Sequence, residues 1–177
     1  MDVVAHVRGR ARTMGEWMHR LRFRQALWAF PFAFSLHVLE EAPQFTAWAN
    51  RFISPQFTYC QFVTINTEGI ATAFLAPVLF WFFPNSGLAF LPFATVLAPC
   101  LFWNIFFHAG TTSAFGVYSP GLITALTIYP PLFYLLSRLV LQERLLTRRT
   151  AVAALIIAGI FHATEVAYHA FFIRFSL

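Results

Sequence analysis

Eight side chains in this sequence can hold a cation or move a proton from places where an apolar chain has no ordinary use for them. Four are carboxylates, Glu40, Glu41, Glu68 and Glu165, and four are imidazoles, His37, His108, His162 and His169. Each lies in a run dominated by Phe, Leu, Ile, Val and Ala. In "SLHVLEEAP", His37, Glu40 and Glu41 stand at i, i+3 and i+4. In "FWNIFFHAG", Asn104 and His108 stand at i and i+4, and in "HATEVAYH", His162, Glu165 and His169 stand at i, i+3 and i+7. On a helix each set falls on one face. Neutral imidazole and carboxylate are ligands of zinc, iron and manganese. The same groups also form proton or cation relays in transporters. Cys60 and Cys100 lie in or beside apolar runs and suggest neither a thiolate site nor a disulfide framework.

The elements that must position these groups are membrane helices. The chain of 177 residues is 59% hydrophobic and 11% charged, with 23 Phe. A soluble domain carries roughly 25% charged residues, so a soluble monomer is excluded. The mean hydropathy is +0.65. All the positive charge is Arg, for a net charge of +5. The Arg residues flank apolar runs, which is the pattern of topology signals and not of nucleic-acid binding. Five stretches are long enough to span, at about 20 residues each: 24–43, 58–83, 87–110, 120–141 and 150–175. The fold class expected is an all-α transmembrane bundle of about five helices. Residues 1–23, with Arg8, Arg10, Arg12, Arg20 and Arg22, are read as a basic arm or surface helix on anionic lipid, and 24–177 as the transmembrane domain. A cleaved secretory signal does not fit, because the first run is too long and carries His37, Glu40 and Glu41. Arg138, Arg144, Arg148 and Arg149 gather at the fourth connection, the side the N-terminus shares if there are five spans. The positive-inside rule then puts the N-terminus in the cytoplasm. The expectation is a multi-pass protein of the plasma (inner) membrane, with the lipid bilayer as partner and no nucleic acid.

Depth sharpens the pattern. At 1.5 Å per residue, His37 lies about 20 Å above the inner surface counted from Arg24, and His162 lies about as high counted from Arg149. Asn104, His108, Asn66 and Glu68 fall in the outer halves of their spans. A charge at mid-membrane costs at least ~2.5–3.5 kcal/mol, so four unpaired carboxylates would cost about 10 kcal/mol or more. They must be paired, protonated or bound to cations. Polar residues that merely join helices are the plain alternative. A proton or cation relay is the third, although the groups gather in one half of the membrane and line no path across it.

The motif "HVLEE" at His37–Glu41, followed by "FWNIFFHAG" with His108 and by "YSPGLITAL" with Tyr118, Pro120 and Gly121, resembles the HXXEE domain family. The resemblance implies an integral membrane protein and a metal-dependent enzyme, and names no reaction. It covers span one through span four or five. His162, Glu165 and His169 rest on depth alone. In "YSPG", Ser119 is read as a helix cap and Pro120 as a first-turn residue, with the Tyr118 phenol or nearby backbone amides over the polar layer. Pro43 ends the first helix. Pro31, Pro77, Pro92, Pro99, Pro130 and Pro131 are read as kinks.

The resulting expectation is one or two divalent metal ions, zinc or iron, on His37, Glu40, Glu41, His108, His162 and Glu165. Glu41, Glu68 and Tyr118 are the candidate catalytic groups, and Asn104 and His169 support the cofactor. With zinc, the chemistry is hydrolysis of a lipid-like ester or amide with a Glu as base. With two irons, it is O2-dependent oxidation of a lipidic substrate. In either case the substrate is a hydrophobic or lipid-like molecule. A proton- or metal-binding transporter or sensor is the alternative from outside enzymology.

Overall fold

A computed structural model describes residues 21–84 and 86–171, with the side chains of 86, 165 and 169–171 excepted. Among them the structure is all-helical. A short helical turn, α1 (Phe23–Ala26), leads into α2 (Ala29–Glu41), and α3 (Phe45–Phe52) follows. The long helix α4 (Tyr59–Phe82) comes next. Then α5 (Ser86–Pro92) runs through a π-helical stretch (Phe93–Trp103) into α6 (Asn104–Phe115). The chain closes with α7 (Leu122–Thr127), α8 (Tyr129–Gln142) and α9 (Arg148–Phe171). Three helical segments are long and apolar enough to cross a membrane: Tyr59–Phe82, Gly87–Phe115 and Arg148–Tyr168.

The first and fourth expected spans are each two shorter helices in series, and proline chemistry explains both breaks. Proline has no N–H to donate to the carbonyl four residues back, and its ring crowds that carbonyl. Pro31 therefore leaves Leu27 unpaired at the i−4 position, and the chain steps at Leu27–Trp28, where Phe30 donates to Leu27 O over one residue fewer (3.1 Å). Pro130 and Pro131 sit in the first turn of α8, which starts anew after Ile128. These prolines start helices rather than kink them, as the sequence had suggested. Pro99 lies inside the π-helical stretch. A widened turn is one way a helix accommodates a proline, and such π segments recur near functional sites.

Small residues set the close contacts between helices. Gly69 on α4 lets the Phe34 ring of α2 approach, since a Cβ there would lie 3.0 Å from Phe34 Cε1. Ala73 and Phe80 continue that buried face of α4, and Phe80 meets Phe23 edge-on at 5.2 Å. On the other side, Gly159 of α9 admits the Trp103 indole, whose Nε1–H donates to Leu155 O at 2.8 Å. Helix α2 thus lies against α4, α7 and α8, while the π-helical stretch lies against α8 and α9. The outward faces carry exposed Phe32, Leu36, Leu39, Leu79, Ile156, Ile160 and Phe161. An apolar surface of that extent marks contact with lipid or protein. Neither Cys60 nor Cys100 is in a disulfide.

The Trp103–Gly159 seat makes a prediction. A Cβ on Gly159 would lie 2.6 Å from Trp103 Cζ2, and overpacking of this kind costs about 1–3 kcal/mol. Gly159→Leu is expected to lower the thermal midpoint of the detergent-solubilised protein, and Trp103→Leu in the same chain to recover part of the loss. Purely additive losses in the double-mutant cycle would refute the contact.

Candidate metal centre

The cluster begins with the two ends of one helical turn. His37 and Glu41, at i and i+4 on α2, direct His37 Nε2 and Glu41 Oε1 to within 3.4 Å of each other. His108 comes from the middle of α6, and its Nε2 lies 3.4 Å from the same Glu41 oxygen. The three ligand atoms all lie within 4.8 Å of one another. All three side chains are buried, at 1% exposed for His37, 7% for Glu41 and 0% for His108. The imidazoles meet edge to face with centroids 4.9 Å apart. Among the described residues, Nε2 of His108 and the hydroxyl of buried Tyr129, whose ring lies 4.9 Å from that of His37, make no hydrogen bond of ordinary geometry.

Proton bookkeeping decides how the imidazoles are oriented. Glu40 faces away from the cluster and accepts from four donors. These are Ile123 N–H (2.9 Å), Thr124 N–H (2.8 Å), the Thr124 hydroxyl (2.6 Å) and the Tyr118 hydroxyl. An ionised carboxylate only accepts, so the Thr124 hydroxyl spends its proton on Glu40. Thr124 Oγ1 can then only accept from His37 Nδ1 at 2.7 Å. That puts the His37 proton on Nδ1 and leaves the Nε2 lone pair facing Glu41 and His108. The Asn104 amide Nδ2–H donates to that lone pair at 2.9 Å, a bond that a cation on Nε2 would displace. On the other imidazole, His108 Nδ1 pairs with Ser119 Oγ at 2.9 Å. Hydrogen bonds to the second ring nitrogen are how metal-binding histidines are usually held in one tautomer.

The "YSPG" segment is the wall of this site. Tyr118 holds Glu40, Ser119 holds His108, and Gly121 lies directly behind both rings. A Cβ on Gly121 would stand 2.6 Å from His37 Cε1 and 2.7 Å from His108 Cε1. Its φ of 100° is also a conformation that L side chains rarely adopt. Two sequence expectations are corrected here. Ser119 does not cap α7, because its hydroxyl serves His108, and Pro120 precedes the helix instead of opening it. The capping acceptor is Glu40, reaching from α2 to the orphan N–H groups of the first turn of α7. Tyr118 stands outside the expected spans. Burial, and after it the Glu40 carboxylate, pushes its hydroxyl up to about 12, so it stays a donor at neutral pH.

Of the six metal ligands expected from sequence, the structure brings together His37, Glu41 and His108. Glu40 is consumed by its four donors. Glu68 is exposed on α4. His162 lies across the Phe107 ring from the cluster, with ring centroids of 5.1 Å from Phe107 to His108 and 6.1 Å to His162. The side chains of Glu165 and His169 lie outside the described residues. Thr124 and Tyr129 were missed in the sequence. A Thr in "LITAL" more often bonds its own helix backbone, and no spacing rule ties it to His37, 87 positions earlier.

The donor set fits a small divalent cation. Zinc bonds of 2.0–2.2 Å in a tetrahedron put neighbouring ligand atoms about 3.4 Å apart, which is the separation of Glu41 Oε1 from each His Nε2. Fold and site together define an all-helical protein with membrane-length apolar helices and a buried two-histidine, one-carboxylate cluster. Residues 28–136 match the family described as proteins of unknown function with an HXXEE motif, and the chain belongs to that family. No curated protein and no solved structure matches the chain.

Gly116 supplies an internal control for the wall. It too has a positive φ, of 64°, but a Cβ there would meet nothing within 4 Å. Gly116→Ala is expected to cost about 1–2 kcal/mol, the usual left-handed penalty. Gly121→Ala should cost clearly more by chemical denaturation, because it also drives into both imidazoles. Equal costs would show that the wall does not press on the histidines.

Proposed function

We propose that the protein is a multi-pass integral membrane metalloprotein holding one divalent ion on His37, Glu41 and His108. The observation that carries this reading is the convergence of those three buried ligand atoms within 4.8 Å of one another, with Glu41 Oε1 3.4 Å from each imidazole Nε2. Five spans with the N-terminus in the cytoplasm remain the best topology. Residues 23–41 and 122–142 each supply about 30 Å of helix in series, close to the hydrocarbon thickness, and the Arg distribution suits that orientation. The plasma membrane is the compartment we favour.

Three protein ligands are the pattern of a catalytic site, where a position stays open for water or substrate. A bound zinc ion would supply an acidified water and a Lewis acid for a carbonyl oxygen. The chain's own groups do the rest. Glu40 and Thr124 hold His37 in the tautomer that keeps its Nε2 lone pair inward. Ser119 does the corresponding service for His108. Asn104 offers an amide beside His37 Nε2 to orient a ligand or substrate. Among the described carboxylates only Glu41 reaches the cluster, so the proton-accepting role falls on it and not on Glu68. Tyr118 is a positioning residue that acts through Glu40. The surrounding apolar helices favour a hydrophobic or lipid-like ester or amide as substrate, and hydrolysis as the reaction. A di-iron centre has less support, because Glu40 and Glu68 are not available to bridge a second ion. The same three donors are also the facial triad of non-haem iron(II) oxygenases, so the metal's identity separates hydrolysis from oxidation.

Elemental analysis of protein purified without a metal-binding tag tests this directly. Wild type is expected to carry about one zinc per chain. Glu41→Gln and His108→Ala should lose it, and Glu68→Gln should keep it. Iron at the same stoichiometry would move the reaction to O2-dependent oxidation. No metal in folded wild type would overturn the reading and leave a proton-binding transporter or sensor as the better account.

A further inference from the structure

Beyond the His/Glu cluster, a second site lies on the far side of the Phe107 ring. It is a cavity of about 180 Å³ between α3, the loop that follows it, α4, α6 and α9. Its walls are mostly apolar, including Phe45, Ile53, Phe62 and Val166, and its polar lining is Ser54, Asn66 and His162, with no formal charge. An engineered apolar cavity of about 150 Å³ accepts benzene, so this one has room for a short stretch of hydrocarbon and a small head.

Ser54 is the residue that points to a ligand. It lines the cavity, is only 1% exposed, and its hydroxyl has no hydrogen-bond partner among the described residues. Buried hydroxyls are normally satisfied. The backbone around Ser54 is ordered by its own bonds: Ser54 N–H donates to Ala49 O (2.8 Å), and Phe57 N–H donates to Ser54 O (3.2 Å). Asn50 Nδ2 closes the same loop on Phe57 O at 2.7 Å. A pinned loop thus places an unused donor and acceptor in the wall of an apolar chamber. Arg51, three positions before Ser54, is exposed, stacks on Phe52 at 5.2 Å and is not part of the lining. A carboxylate or phosphate head would find no counter-charge there.

We propose that this cavity binds the polar end of a neutral single-chain lipid, with a hydroxyl head on Ser54 and its first carbons among Phe45, Phe62 and Val166. A long-chain alcohol is the simplest such ligand. The site stands on geometry separate from the metal ligands, so it holds whether or not the cluster carries an ion.

The test uses the full chain in nanodiscs with hexadecanol carrying a diazirine near its hydroxyl end. Adducts mapped by mass spectrometry are expected around Ile53–Phe62 and His162–Val166. Unlabelled hexadecanol should compete about tenfold better than hexadecane or hexadecanoate, the difference of one good hydrogen bond. Ser54→Ala should erase that preference while labelling persists. Ala49→Phe, which fills the cavity, should abolish the adducts. If Ala49→Phe does not fold, Ser54→Ala alone decides the matter. Adducts spread evenly over the exposed faces of α4 and α9 would overturn the proposal, as would equal competition by hexadecane or a preference for hexadecanoate. Repeating the labelling on His108→Ala keeps the two readings apart: unchanged adducts there leave this site standing even if no metal is ever found.

Discussion

The Glu40 carboxylate is the joint on which the rest of this structure turns. It gathers two backbone N–H groups and two hydroxyls from the segment 118–124 onto one side chain of α2. In an apolar surrounding, an unmatched carboxylate is expensive and so is an uncapped helix end. Each cost is removed by the other, so the contact holds only when both helices are in register. Charge-assisted bonds of this kind are roughly twice as strong as neutral ones. The same contact spends the Thr124 proton and thereby decides which nitrogen of His37 faces inward. One carboxylate therefore sets helix packing and imidazole chemistry together.

The doubled glutamate of the motif is a division of labour set by helix geometry. Glu41 lies one full turn from His37 and shares its face, so it joins the imidazole at the cluster. Glu40, one residue earlier, is rotated by about 100° and reaches α7 instead. Gly121 then completes the arrangement, because the loop can lie against both rings only where there is no side chain. The "HVLEE" and "YSPG" motifs are two halves of one structural unit, although Tyr118 lies 77 positions after Glu41.

Much of this was legible in the chain. The apolar runs and the facing of His37 with Glu41 follow from periodicity, and depth together with the cost of burying charge marked His108 as a candidate partner. Other parts were not. Equal depth in a membrane does not mean contact: Phe107 stands between His108 and His162, and a bulky ring at one position splits what depth alone would merge. Glu68 faces outward for a related reason. Gly69 and Ala73 are the close-packing residues of α4, so they take the inner face that a depth count would have assigned to Glu68. Proline positions announced irregularity without saying which kind. Pro31 and Pro130 each divide an expected span into two helices, whereas Pro99 sits in a widened helix.

The sequence by itself determined the all-helical apolar character, the Arg asymmetry and the identity of the groups that chemistry can use, because those depend on composition and on spacing within one helix. Only the tertiary structure decided which of those groups meet. Partner choice among α2, α6 and α7 rests on contacts between residues tens of positions apart, and on which donor has a proton left to give. Local periodicity carries no record of either.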